Sequence, residues 1–269
     1  MAQRRNKPVK VVAACHLCGE VKKLCDAHLF PNGLRKFVTD DPRNPAFHFL
    51  DVNHRENDRE RNTLFFDPGI LCSDCDRALG PYDAALIKFV EAWIGCHYRQ
   101  LQEPPSEKYR GIWLPFDAAK LRLAILICIY RFVISPRHPK IALDPYRHAL
   151  LEASIHALGR FGRDPTGVMI LGYYRHWMTD GSLSIDVTEI GRPHPAGHDD
   201  GFVIELFGLS IFVDMTGARS FPRQFYLGED RSEGDKVHMH ITSVENGTAT
   251  FKHFLDVLKF GGFQRLLGK

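Results

Sequence analysis

The hydrophobic pattern splits the chain into a helical half and a strand-rich half. From Asp76 to Tyr98, Leu79, Leu86, Phe89, Val90 and Trp93 recur at spacings of three, four and seven, which predicts an amphipathic helix. After the Pro-rich stretch LQEPPSEKYRG, two more helices are predicted over 117–135 and 144–158. Each opens at an Asp suited to capping, and Pro145 fits the first helical position of the second. The run Leu121–Ser135 (LRLAILICIYRFVIS) is apolar almost all round and reads as a buried core helix. At ~1.5 Å per residue it spans only ~22 Å and it carries Arg122 and Arg131, so it falls short of the ~20 residues a bilayer requires.

Beyond Gly159 the texture changes. VMILGYYRHWM, LSIDVTEI, FVIELF, LSIFVDM and KVHMHITSV are short runs rich in Val, Ile, Phe, Tyr and Thr, bounded by Gly, Asp and Pro. They predict an antiparallel sheet, and Phe251–Phe260 predicts a closing helix. The expected fold is α+β, divided into an N-terminal module (1–98), a helical middle (99–159) and a β-rich C-terminal region (160–269). So small a sheet must cover its apolar face, and the helices at 117–158 are the nearest candidates. No internal repeat or low-complexity segment interrupts this order.

Composition adds limits. In 269 residues, 44% are apolar and 25% charged, an ordinary globular balance for one large domain or two small ones. The net charge of +3 permits a nucleic-acid partner without indicating one. Local charge is more telling: the tail RRNKPVK offers Arg4, Arg5, Lys7 and Lys10 as a phosphate-contacting arm, although a solvated terminus has the same composition. Thr39–Asn62 mixes charges of both signs and reads as an exposed loop or short helix. The apolar run Val9–Ala14 is too short for a secretory signal, so a cytoplasmic location is expected, with no membrane association.

Seven cysteines, an odd number in a chain expected to be cytosolic, argue for metal rather than a disulfide framework. Four form two C-x-x-C clips, Cys15/Cys18 and Cys72/Cys75, which together complete a tetrahedral structural zinc site. Residues 19–71 must then loop out and return. Cys25, Cys96 and Cys128 read as core residues. His28, in Ala27-His28-Leu29-Phe30-Pro31, is left over: it can replace a cysteine, support the fold, or belong to a second site held in place by the first.

Read together, Cys15–Pro31 and ILCSDCDRALGPYD at 70–83 resemble HNH-type (ββα-metal) endonucleases, in particular zinc-clipped bacterial members with a His-x-x-Pro first motif and a Cys-x-x-Cys-Asp second motif. The resemblance covers roughly residues 12–90. It implies a metal-dependent endonuclease acting on nucleic acid, DNA before RNA, with His28 as general base and a Mg²⁺ or Mn²⁺ ion at the catalytic site. Asp76 stands where common members carry a histidine or asparagine ligand, and Asp83 follows seven residues later. On an unbroken helix the two share a face and converge on one ion; if the helix restarts at Pro81, Asp83 lies in a first turn, where a carboxylate is favoured by the helix dipole alone.

The motif also departs from the family. The residue before the base is Ala27, where most members have an Asp, Glu or His that helps bind the ion. Asp26 points to the other side of a regular strand unless a bulge turns it inward, and the motif's central asparagine has no firm counterpart, Asn62 being a weak candidate. The competing reading is a non-catalytic zinc-finger module, binding nucleic acid or protein, with a degenerate site. His238 and His240 alternate on one strand face with chelating spacing, and His194, His198 and Asp199 share a polar loop that could bind an ion; for both groups the plain surface role is the preferred reading. Tyr173, Tyr174 and Trp177 read as sheet residues rather than base-stacking platforms. A role in phage defence or a mobile element goes with the resemblance alone. No helix-turn-helix pattern supports a transcriptional regulator, and a protein partner, a small-molecule trigger and the oligomeric state are left open.

Overall fold

The computed structural model describes residues 11–37, 47–49, 59–61, 66–100, 110–137, 143–156, 167–173, 176–177, 183–184, 194–195, 201–207, 209–215, 227 and 237–242. The predicted closing helix at Phe251–Phe260 and the basic tail lie outside them. The fold is α+β, as the sequence pattern predicts.

The N-terminal part is built from small strand pairs around one long helix. Strands β1 (Val12–Ala14) and β2 (Val21–Lys23) pair antiparallel, flanking the first C-x-x-C clip. Strand β3 (Ala27–His28) leads into a 3-10 turn over Asn32–Phe37. The mixed-charge segment read as a loop or short helix instead contributes an antiparallel pair, β4 (Phe47–Phe49) with β5 (Arg59–Arg61). Its Phe-His-Phe alternation was outweighed by the charge around it. Strand β6 (Phe66–Asp67) pairs with β3, and helix α1 (Ser73–Gln100) starts inside the second clip.

Helix α1 does not restart at Pro81; it runs through that residue. Pro81 and Arg77 are both exposed, so the carbonyl that loses its donor to the proline ring faces water. The unbroken helix keeps Asp76 and Asp83 two turns apart on one face.

Strand β7 (Arg110–Leu114) follows α1, then helix α2 (Ala118–Val133) and helix α3 (Pro145–His156). The predicted caps are present: Asp117 accepts from the Lys120 N–H at 2.9 Å, and Asp144 accepts from Tyr146 and Arg147 at 3.0 Å each. Helix α2 is buried around most of its circumference, which matches its all-round apolar sequence.

The C-terminal strands are β8 (Gly167–Tyr173), β9 (His176–Trp177), β10 (Leu183–Ser184), β11 (His194–Pro195), β12 (Gly201–Leu206), β13 (Leu209–Asp214) and β14 (Val237–Thr242). Six of the strands form one sheet in the order β11-β12-β13-β8-β14-β7. Two features differ from expectation. The pairing of β14 with β8 is parallel, whereas its pairing with β7 is antiparallel. Strand β7 itself comes from the end of the stretch read as a Pro-rich break, where too few alternating residues stand out against the prolines before it.

One apolar cluster joins these parts, from Leu24 and Leu71 beside the clips through Trp93, Leu126 and Leu151 of the helices to Ile204 and Val213 of the sheet. The β12–β13 hairpin docks on α1 through its turn. Phe207 there has φ of 51°, a left-handed conformation unusual for a bulky side chain. Its carbonyl accepts from buried Trp93 Nε1 at 2.8 Å, and its ring packs edge-on to Phe37. The tertiary contacts hold a turn that the residue's own preference opposes.

Candidate metal centre and histidine site

Local backbone geometry draws the first clip into a knuckle. The Cys15 N–H donates to the Glu20 carbonyl and the Gly19 N–H returns to the Cys15 carbonyl, at 2.9 and 2.8 Å. Gly19, at φ of 73°, supplies the left-handed residue that this return needs. The second clip is brought alongside by a ladder fragment in which the His16 N–H donates to Ile70 and the Cys25 N–H to Leu71, with Leu24 bridging Cys72. The Cys72 N–H then points at the Cys15 sulfur at 3.3 Å.

The outcome is a four-sulfur cluster. The Sγ atoms of Cys15, Cys18, Cys72 and Cys75 all lie within 4.8 Å of one another, the only group of this kind among the described residues. Zinc–sulfur bonds of ~2.3 Å at tetrahedral angles place sulfurs ~3.8 Å apart, so the cluster fits a structural zinc ion. Burial alone would raise the Cys15 thiol, but backbone N–H groups of Cys18, Cys72 and Leu17 bring it down to about 7. Burial and the neighbouring sulfurs push Cys75 up. A metal ion relieves that conflict by holding the sulfurs as thiolates. Of the remaining cysteines, Cys128 is buried in α2 and Cys25 half-buried, while the side chain of Cys96 lies outside the described residues.

Against this centre stands His28. In the β3–β6 pair Ala27 faces Asp67 and His28 faces Phe66, so alternation sends the two faces different ways. The Ala27–Asp67 face is closed: Ala27 is fully buried, and Asp67 accepts from the Gly69 N–H at 2.9 Å and from Ser135 Oγ at 2.6 Å. His28 is half-buried on the other face, and Asp26 is exposed. Burial lowers the His28 pKa; the Asp76 charge opposes this, Arg131 adds to it, and Asp83 and Asp26 oppose it more weakly.

Asp76 and Asp83 do converge, on an arginine. Arg131 of α2, whose side chain is 0% exposed, donates Nη1 to Asp83 Oδ1 at 2.8 Å and Nη2 to Asp83 Oδ2 at 3.1 Å. The same Nη2 reaches Asp76 Oδ1 at 3.4 Å. Burial pushes the Asp83 pKa up, and the guanidinium pulls it back only in part. The Arg131 Nε is buried without a hydrogen-bond partner among the described residues. His28, Asp76 and Asp83 do not form a metal-sized group in this arrangement.

Arg131, Asp67 and Ser135 were missed as site residues. The signal for Arg131 was present, because an arginine within the buried stretch Leu123–Phe132 requires a buried partner. Its neighbours reinforce the contact: Tyr130 Oη donates to the His16 carbonyl at 3.0 Å, and Phe132 meets Phe30 edge-on at 5.1 Å. Beyond the helix, Arg137 Nη1 approaches the Phe66 carbonyl at 3.4 Å and its guanidinium lies over the Phe66 ring.

The other candidates are scattered. His238 and His240 lie on β14, in register with Trp113 and Gly111 of β7, and His194 lies on β11 opposite Val203. Tyr173 ends β8 and Trp177 lies in β9. Arg4, Arg5, Lys7, Lys10, Asn62, Tyr174, His198 and Asp199 lie outside the described residues. No helix among the described residues is long and apolar enough to cross a membrane. Compared with known proteins, the chain matches no family model, no curated protein and no solved structure.

Proposed function

We propose that the protein is a zinc-clipped endonuclease of the HNH type, cutting nucleic acid, DNA before RNA, with His28 as general base. The observation that carries this reading is a half-buried imidazole, its pKa lowered by burial, on a strand pair whose following helix starts inside the four-cysteine cluster. A neutral imidazole can take the proton of a water as the water oxygen attacks phosphorus and the ester P–O bond breaks. Zinc holds the two motifs together and takes no part in that step. A Mg²⁺ or Mn²⁺ ion, when bound, would meet Asp76, which is 33% exposed, and would supply charge neutralisation at the phosphate. Asp83 is the less available of the two carboxylates, since both its oxygens already accept from Arg131. Arg4, Arg5, Lys7 and Lys10 would contact phosphates, and phage defence or a mobile element in a bacterial cytoplasm is the setting that accompanies this reading.

The test is cleavage of DNA by the full chain with Mg²⁺ or Mn²⁺ added. His28→Ala should keep zinc and fold while cleavage falls ~10²–10⁴-fold, the usual contribution of a general base. If that variant cleaves at the wild-type rate, His28 is not the base. A second reading, a non-catalytic zinc-clipped binding module, is favoured by buried Ala27 and by the arginine on the acidic pair. It predicts nucleic-acid or protein binding with no cleavage under any divalent ion.

A further inference from the structure

We infer that Arg131 is the resident cation of this site, with Asp83 as its fixed counter-ion, so that any divalent ion taken up beside His28 is held by Asp76 without a second carboxylate. This rests on the proposed function for its catalytic meaning, but its geometry stands independently. Three observations support it. The guanidinium is fully enclosed, so the charge must be matched where it sits, and α2 is otherwise apolar around it. Its two outer nitrogens form a fork on both oxygens of Asp83, the arrangement that binds a carboxylate most firmly. The contact to Asp76 is longer, 3.4 Å, and reaches only one oxygen.

The two carboxylates therefore have different roles, although they lie on one helix face. Asp83, 21% exposed, is held at both oxygens by Arg131; Asp76, 33% exposed, has one oxygen on Arg131 at 3.4 Å and is the more open of the two. A site with one carboxylate and a positive neighbour holds a divalent cation weakly, because affinity follows the charge of the ligand set. Arg131 is thus a positioning residue that acts through Asp76.

The test is Mn²⁺ binding to the zinc-loaded full chain, followed by electron paramagnetic resonance, which needs no cleavage. Wild type should bind weakly. Arg131→Met frees both carboxylates and should tighten Mn²⁺ binding by at least about tenfold, and adding Asp83→Asn should abolish that gain. Unchanged affinity in Arg131→Met, or a gain that survives Asp83→Asn, overturns the inference. If Arg131→Met unfolds before it can be titrated, millimolar Mn²⁺ should raise its melting temperature but not that of the Arg131→Met/Asp83→Asn pair. Absence of that rescue is equally fatal. Wild-type protein that never cleaves while showing this Mn²⁺ pattern removes the nuclease reading and leaves the role of Arg131 standing.

Discussion

The cysteine cluster and the acidic pair are both built from short motifs on the same segments, yet only the cluster presents its ligand atoms to one ion. Four sulfurs meet within 4.8 Å, whereas Asp76 and Asp83 meet around a guanidinium from another helix. The clips are closed by backbone turns that their own residues encode. The carboxylates take whatever cation the tertiary fold brings, and α2 brings one permanently. Shared spacing therefore predicts that two groups converge, but not on what.

The largest effect that can break this comparison is at the zinc. Cys72→Ser, or a strong chelator, should unfold the N-terminal part, since structural zinc sites hold their ion with apparent free energies of ~10–16 kcal/mol in small domains and part of that is folding free energy. Circular dichroism with metal analysis checks it, and a folded, zinc-free protein would reduce the cluster to a coincidence of buried thiols.

Next in size is the acidic pair. Arg131→Met leaves Asp83 largely buried without its counter-ion and should cost about 3 kcal/mol, toward the low end for a broken buried pair because Asp83 retains some solvent contact. Asp83→Asn in the same chain should recover part of it, read as a urea midpoint. A loss that does not depend on Asp83 would mean that Arg131 acts through packing alone.

Smaller still is the tie between α2 and the knuckle. Tyr130→Phe deletes one hydrogen bond to the His16 carbonyl and should cost ~1 kcal/mol while leaving zinc in place.

The mildest probe is pH. The folded-state pKa of His28 lies below 6.5, so the unfolded chain binds a proton first. The stability its neutral form contributes is full above pH 6.5 and is lost as pH falls from there to the folded value. The NMR titration of the His28 ring should accordingly fall below pH 6.5. Asp76→Asn removes the strongest charge opposing the effect of burial and should move that titration lower; movement upward would contradict the arrangement around the imidazole.

What could be read in advance followed the range of each signal. The helices over α2 and α3, their Asp caps and the two clips were legible because each depends on residues a turn or two apart. The strands β12 and β13 were legible for the same reason, as alternating runs separated by a tight turn. Strand β7, the parallel β14–β8 pairing and the destination of Asp83 depend on partners far along the chain, where no local period exists. Asp67 is the same case: the Ser135 hydroxyl that closes on it lies 68 residues further along the chain. Arg131 was the one long-range feature with a local warning, a charge in a helix that had no solvent face to spare.

Tyr130, Arg131 and Phe132 reach the knuckle, the long helix and the segment after the histidine strand in turn, and Ser135 and Arg137 then grip β6. For a chain emerging from a ribosome, this sets an order of events. The cysteines can capture zinc once Cys75 is out, but the unit around them stays unfinished until residue 137 has followed. In that interval the acidic face of α1 lacks its arginine, and the nascent protein displays two free carboxylates that the mature one never shows together.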